Sequence, residues 1–401
     1  MNILLVINSL DIGGAEVFIV RLANNLAKRG NGVYLLDINP AKRSPLILER
    51  ISEEVQLVYF DKTLSFPQKV LWKCIYTVSR LSDAWLHRAS YKQKKQEAGK
   101  LSTLIQGLVQ QHGIQVINSH LATADWMVAH YFVKQKRNQK FVISMHGCYN
   151  QSDVDTHPVK KRQYADRKWV LNLADRIVLL TPRNAAPLQK LQLKNDPVFI
   201  PLGFDRPDTL EPNPENLPDD GTVTFGLVSR AVARKGWEEA ILATQQLHSQ
   251  GVRCRLILVG GGAYQLQLQQ QYGHLPYIVF IGATAQVLKW VQQFDVGLFP
   301  SYIESESFPN TVIEYLACGK PIIGTDIGEI KNMMSTPDGQ LAGQLLHYRP
   351  EGTSVKELLE KMSKYIFDPQ LLCQHKERAH EAFLKFDMIH CVSSYENVYE
   401  G

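Results

Sequence analysis

Short, nearly unbroken apolar runs recur along this chain, and between them the apolar positions fall at helical spacing. The runs at 3–7, 33–36, 55–59, 116–118, 141–144, 176–180 and 198–200 read as strands buried on both faces, the pattern of a parallel sheet. A second series follows at 222–228, 256–259, 277–281, 295–299, 321–324 and 344–346. Between the first two strands, residues 16–29 carry Phe18, Leu22 and Leu26 on one helical face and stop at Gly30. The tail from Ser354 onward reads as helix. Strands alternating with helices predict doubly wound α/β domains. Residues 201–220 are rich in Pro, Asp, Glu and Asn and lack an apolar period, so they are predicted to link two such domains.

The stretch Pro300–Gly319 carries the most chemistry. A buried strand runs into a polar loop, then into a helix with Ser307 available as N-cap and Pro309 placed for the first turn. Val312, Ile313, Leu316 and Ala317 form its apolar face, and Gly319 its stop. A helix N-terminus at a sheet edge offers free N–H groups and a positive dipole end to a phosphate. Glu306 and Glu314 are eight residues apart, which at ~1.5 Å per residue separates them by at most roughly 12 Å. That span matches a diphosphate with a sugar on each side, one carboxylate serving a hexose and the other a ribose. Two glutamates that merely favour the helix N-terminus or face water fit the same positions.

The context Pro-Ser, Glu-x-Phe and Glu-x-x-Ala-Cys-Gly-Lys-Pro resembles the donor-site motif of retaining GT-B glycosyltransferases, in particular glycosyltransferase family 4. The likeness extends over nearly the whole chain. Gly13-Gly14-Ala15-Glu16 is similar to the family's first loop, Gly-Gly-x-Glu. Its glycines allow close approach to a phosphate or acceptor, although a plain tight turn has the same sequence and the third glycine of a dinucleotide fingerprint is missing. Arg230 and Lys235, in the turn after the first strand of the second series, occupy the positions the family uses for two cations on the diphosphate. Such cations neutralise charge on the leaving phosphate as the glycosidic bond breaks. Leu202-Gly203 in place of Asn-Gly, and Ser307 and Pro309 in place of glycines, are departures that bear on the donor sugar.

The resemblance implies two Rossmann-like doubly wound domains facing a central cleft. Residues 1–203 would bind the acceptor, 204–378 the nucleotide sugar, and 379–401 would pack back on the first domain. It implies His120, Glu306, Arg230 and Lys235 as catalytic residues. Gly13, Gly14, Gly260, Ala283, Phe308, Pro309, Asn310, Thr311 and Glu314 would join Arg230, Lys235 and Glu306 in holding the donor, with Glu16 and His146 in the acceptor cleft. His120 and His146 both fall at carboxyl ends of predicted strands, the functional edge of such a sheet, although a lone histidine there is more often structural.

Composition narrows the rest. The 401 residues are enough for two ordinary domains, and 45% hydrophobic content supports real cores. Six scattered cysteines (Cys74, Cys148, Cys254, Cys318, Cys373 and Cys391) show no paired spacing, as expected of reduced thiols in a cytoplasmic protein. The start of the chain lacks a basic region and cleavage site and reads as a strand, and no run reaches about 18 apolar residues. Asp153-Val154-Asp155 superficially matches a metal-binding pair but sits in a predicted polar loop, so no metal site and no cofactor are expected.

Charge is uneven. Residues 61–100 hold nine basic and three acidic side chains, a net +6 against +5 for the whole chain, interleaved with Trp72, Trp85 and other apolar residues. That composition suits an anionic lipid interface, and equally a stretch whose apolar residues pack on their own domain. The second domain has no comparable basic stripe, which argues against nucleic acid. The expectation is therefore a glycosyltransferase with retention of configuration, using a UDP-sugar or another nucleotide-diphosphate sugar. Its acceptor would be a glycan or lipid-linked saccharide in cell-surface polysaccharide or glycolipid synthesis, and it would be cytoplasmic or peripheral on the inner membrane face. The alternative is a catalytically silent sugar-nucleotide-binding or scaffold protein of the same fold.

Overall fold

The computed structural model describes residues 1–60, 83–134, 138–147, 158–206, 221–304, 306 and 308–401. Asp153-Val154-Asp155, Ser307, Cys74, Cys148, residues 207–220 of the predicted 201–220 linker and the first half of the basic stretch lie outside them. The chain divides into two compact units, 1–203 with 390–401, and 204–389.

Among the described residues, the first unit contains a seven-stranded sheet in the order β3-β2-β1-β4-β5-β6-β7. Its strands are β1 (Asn2–Ile7), β2 (Gly32–Asp37), β3 (Val55–Tyr59), β4 (Val116–His120), β5 (Lys140–Met145), β6 (Arg176–Leu179) and β7 (Val198–Phe199). All pairs are parallel, with Ile7 opposite His120 and His120 opposite Ser144. The apolar runs predicted from sequence are these strands, because a strand covered on both faces needs side chains without polar ends. The helix Gly14–Lys28 buries Phe18, Leu22 and Leu26 against the sheet, as its spacing predicts.

The second unit contains β8 (Thr224–Val228), β9 (Arg255–Val259), β10 (Ile278–Gly282), β11 (Val296–Phe299), β12 (Ile322–Thr325) and β13 (Gly343–Leu346). They form a parallel sheet in the order β10-β9-β8-β11-β12-β13. Two details differ from the sequence expectation. The helix after β11 spans Asn310–Ala317, with Pro309 as its N-cap at φ −74° and ψ 125°. Pro309 is thus extended, one step before the first turn, and not inside it. The second unit also runs past residue 378, to Ile389. The helix Pro369–Phe383 passes through that point, and its end is held there: His380 lies against Gly319, and Phe383 meets Phe204 edge-on at 6.2 Å.

Tyr315 ties the helix Asn310–Ala317 to the sheet. It is fully buried, and its hydroxyl accepts the Val228 N–H at 2.8 Å and lies 3.2 Å from the Leu298 carbonyl. Room for the ring exists because residue 297 is glycine: a Cβ there would lie 2.3 Å from Cδ2 of Tyr315. Gly297→Ala should therefore force the helix off the sheet and destabilise the second unit by about 1–3 kcal/mol, the usual cost of overpacking. A urea midpoint for that unit indistinguishable from wild type would refute the account.

Candidate functional site

In the second unit the chain leaves β8 toward β9 and β10, and leaves β11 toward β12 and β13. The carboxyl ends of β8 and β11 therefore flank a topological switch point, where the loops part and a ligand can enter. The turn after β8 and the loop after β11 are laced together. The Tyr302 N–H donates to the Arg234 carbonyl at 3.0 Å, and Arg234 Nη2 donates to the Tyr302 carbonyl at 3.0 Å. Gly236, at φ +77°, passes so close that a Cβ would lie 2.5 Å from the Pro300 carbonyl oxygen. Thr353 Oγ1 donates to that same oxygen at 2.7 Å.

This lacing brings the Lys235 ammonium into an ion pair with Glu306, two residues 71 positions apart in sequence. Both side chains are largely buried, at 13% and 15% exposure, and Lys235 Nζ stands 5.3 Å from the centre of the Phe299 ring. A charge taken out of water needs such a partner, so each residue holds the other at the switch point. Arg230 is exposed on the same edge.

The glycine loop after β9 closes the other side. Gly260, at φ +144°, would place a Cβ 1.8 Å from the Ser229 carbonyl oxygen, and its N–H donates to the Gly282 carbonyl at 2.8 Å. A Cβ on Gly261 would touch that of Ala283 at 3.0 Å. Gly260 and Ala283 thus belong to one backbone layer beside the turn that carries Arg230. In the helix Asn310–Ala317 the N-cap residue Pro309 makes no side-chain cap hydrogen bond. Asn310 and Thr311 form its first turn, Glu314 is half-buried further along, and Phe308 stands edge-on to Phe386 at 5.8 Å. The structure gathers Lys235, Glu306, Arg230, Gly260, Ala283 and this helix start along one sheet edge. Among the described residues, no three His, Cys, Asp or Glu side chains converge as a metal site would require.

The first unit has its own switch point, between β1 and β4. Gly13 and Gly14 open the helix after β1, and the Glu16 carboxylate folds back so closely that a Cβ on Gly13 would lie 2.2 Å from it. Asn8 Oδ1 accepts the Ala124 N–H at 2.9 Å, joining the two sides. His120 ends β4 and is fully buried, and its Nδ1 lies 2.7 Å from Nε2 of half-buried His146. The rings stack at 5.0 Å, and Phe18 covers His146 at 5.5 Å. Burial pushes the His146 imidazole down to about 4, and burial with its neighbour holds His120 well below the usual histidine range. Both rings are neutral at neutral pH.

Several residues here escaped the sequence reading. Asn118 and Ser119 are polar yet fully buried within β4, and Ser119 Oγ donates to Asp125 at 2.6 Å. Desolvation raises that carboxyl to about 7. Leu121 sits at φ +75°, a left-handed conformation that costs a leucine about 1–3 kcal/mol and is concentrated at functional sites. Polar residues inside an otherwise apolar strand were the available signal; nothing local marks Leu121.

The sequence pattern of Glycosyltransferase Family 4 matches residues 12–206, and that of Glycosyl transferases group 1 matches 222–366. An uncharacterised glycosyltransferase of Methanocaldococcus jannaschii is 24% identical over 299 residues, 73% of this chain and 77% of the relative. The N,N'-diacetylbacillosaminyl-diphospho-undecaprenol alpha-1,3-N-acetylgalactosaminyltransferase of Campylobacter jejuni is 25% identical over 188 residues, 46% of each chain. Among solved structures, HepE of Anabaena in complex with UDP superposes with a TM-score of 0.70 over 99% of both chains at 17% identity. With one family matched across each unit and the fold shared end to end, the chain belongs to the family 4, group 1 glycosyltransferases of the GT-B fold.

Proposed function

We propose that this glycosyltransferase moves a sugar from a nucleoside-diphosphate sugar, with UDP as the first choice of nucleotide, to a hydroxyl of a glycan or lipid-linked acceptor, with retention of configuration. The observation that carries the reading is the convergence of Lys235 and Glu306 at the switch point of the second unit. In this reading Lys235 and Arg230 face the diphosphate, and a bound diphosphate competes with Glu306 for the Lys235 ammonium. Glu306, released, accepts hydrogen bonds from hydroxyls of the donor sugar, and Glu314 from the ribose. The N-terminus of the helix Asn310–Ala317 adds N–H groups, and the Gly260–Ala283 layer passes the base by its backbone. The UDP bound to the Anabaena protein supports the choice of nucleotide.

The first unit supplies the acceptor side. Gly13, Gly14 and Glu16 line its switch point, and the His120–His146 pair meets the reacting sugars through the half-buried ring of His146. Retention fits a front-face route, in which the leaving diphosphate takes the proton of the attacking hydroxyl while the cations steady its charge. A lipid-linked acceptor is supported by the Campylobacter relative, whose name places its acceptor sugar on diphospho-undecaprenol. Among the described residues no helix is long and apolar enough to cross a membrane. Attachment to the inner membrane face, in this reading, uses the basic stretch 61–100.

Release of nucleoside diphosphate from a panel of donor sugars tests the activity directly. With the donor so identified, Lys235→Ala should lower kcat by about 10²–10³, the loss seen when one donor to a developing negative charge is removed. Glu314→Ala should mainly weaken nucleotide binding, by about tenfold, as expected for one charge-assisted hydrogen bond. Wild-type kinetics in both variants would show that the donor sits elsewhere.

Two cations and a helix end already neutralise the diphosphate, so turnover should persist in excess EDTA. Abolition by the chelator with recovery on adding manganese would contradict this assignment. The protein should also float with anionic liposomes at low salt and less at high salt, with the effect lost when Lys92, Lys94 and Lys95 are changed to glutamate. Equal partition into neutral vesicles, or none into either, would favour a soluble acceptor.

A further inference from the structure

The helix Met388–Glu400 sends two tyrosines into the first unit's polar interior. Tyr399 donates its hydroxyl to Asn118 Oδ1 at 2.8 Å, and Tyr395 to Ser144 Oγ at 3.2 Å. Both rings are buried, and burial keeps both hydroxyls protonated far above neutral pH, so Tyr399 can act there only as a donor to that oxygen.

The orientation of the Asn118 amide is decided by its other contacts. Nδ2 donates to the Val142 carbonyl at 3.1 Å and to Ser144 Oγ at 3.0 Å. A carbonyl cannot donate, so the nitrogen must face Val142 and the oxygen must face His120 and Tyr399. Oδ1 is then an acceptor only, and His120 Nε2, 3.1 Å away, must carry hydrogen to meet it. A neutral His120 therefore has a lone pair on Nδ1, and His146 Nε2 must supply the hydrogen of the 2.7 Å bond between the rings. The last atom of the chain, His146 Nδ1, is left with a lone pair; it is buried and has no hydrogen-bond partner among the described residues. A bare acceptor in that position is suited to a substrate hydroxyl and costly without one.

We infer that Asn118, whose acceptor Tyr399 completes, is a positioning residue: its Oδ1 sets which ring nitrogens of His120 and His146 carry hydrogen, and so keeps His146 Nδ1 an acceptor. Among the described residues, Tyr395 and Tyr399, on the helix Met388–Glu400, reach Ser144 and Asn118 beside the pair. Phe18 covers it from the helix Gly14–Lys28, and Asp125, on the helix Ala122–Lys134, is taken by Ser119. The effect on turnover rests on the glycosyltransferase reading above; the protonation pattern does not.

Two-bond ¹H–¹⁵N spectra of the full-length labelled chain, recorded between about pH 5.5 and 8, report the pattern with no substrate present. Both rings should be neutral, with hydrogen on Nε2. Asn118→Leu removes the acceptor at similar volume, so His120 should shift toward a mixture of tautomers and kcat should fall about fivefold with KM for the donor unchanged, whereas Tyr399→Phe, which leaves the amide held by Val142, should keep hydrogen on Nε2. Asn118→Asp places a carboxylate beside Nε2, which should raise the titration of His120 into the measured range and make kcat pH-dependent there. Hydrogen on Nδ1 of His120 in the wild type, or an Asn118→Leu spectrum identical to wild type, overturns the inference. Shifted tautomers with unchanged kcat overturn the positioning role. If no donor is turned over at all, the spectra alone decide.

Discussion

A parallel sheet satisfies its backbone along the strands and must carry the chain back across one face between them. Where two neighbouring strands send their connections outward in opposite directions, no loop covers the carboxyl ends between them. Both units of this chain are built around that gap, between β1 and β4 in the first and between β8 and β11 in the second. The residues with chemistry are found beside it. Gly13, Gly14 and His120 flank one gap, and Arg230, Lys235 and Glu306 the other, because the loops that carry them have nowhere else to begin.

At the second gap, positioning depends on burial. A surface lysine and glutamate would hold each other weakly. Lys235 and Glu306 are mostly withdrawn from water, so neither can be moved without leaving a charge uncompensated. The lacing of Arg234 to Tyr302 and of Gly236 to Pro300 keeps the two loops at the separation that this pair needs. The ion pair and the loops are therefore one unit of structure.

Much of this was legible in the sequence, for identifiable reasons. Strands covered on both faces must be apolar throughout, so the apolar runs give the thirteen strands among the described residues to within a residue or two. Glycines such as Gly260 and Gly236 mark backbone crossings that leave no room for a Cβ. Glu306 and Glu314 stood out by their spacing around a helix start, and Arg230 and Lys235 by their resemblance to a family motif; the sequence alone did not show that Lys235 and Glu306 pair across 71 positions. What escaped depends on contacts far apart along the chain. No local pattern says that Tyr315 reaches the Val228 amide, or that the second unit keeps its hold on the chain to Ile389. The His120–His146 contact required the register of β4 against β5, and the donor that completes the Asn118 acceptor, Tyr399, comes from the helix Met388–Glu400.

That last dependence has a chronology. Tyr395 and Tyr399 are made 251 and 281 residues after Ser144 and Asn118, the groups they complete. The sheet of the first unit can pair as soon as β7 has left the ribosome, yet until then and beyond, Asn118 and Ser144 await their outside donors within a nearly finished interior. Contacts so distant in sequence close late. Until the helix Met388–Glu400 docks, Asn118 and Ser144 lack the two hydroxyl donors it brings, so the first unit's polar interior is completed by the part of the chain made last.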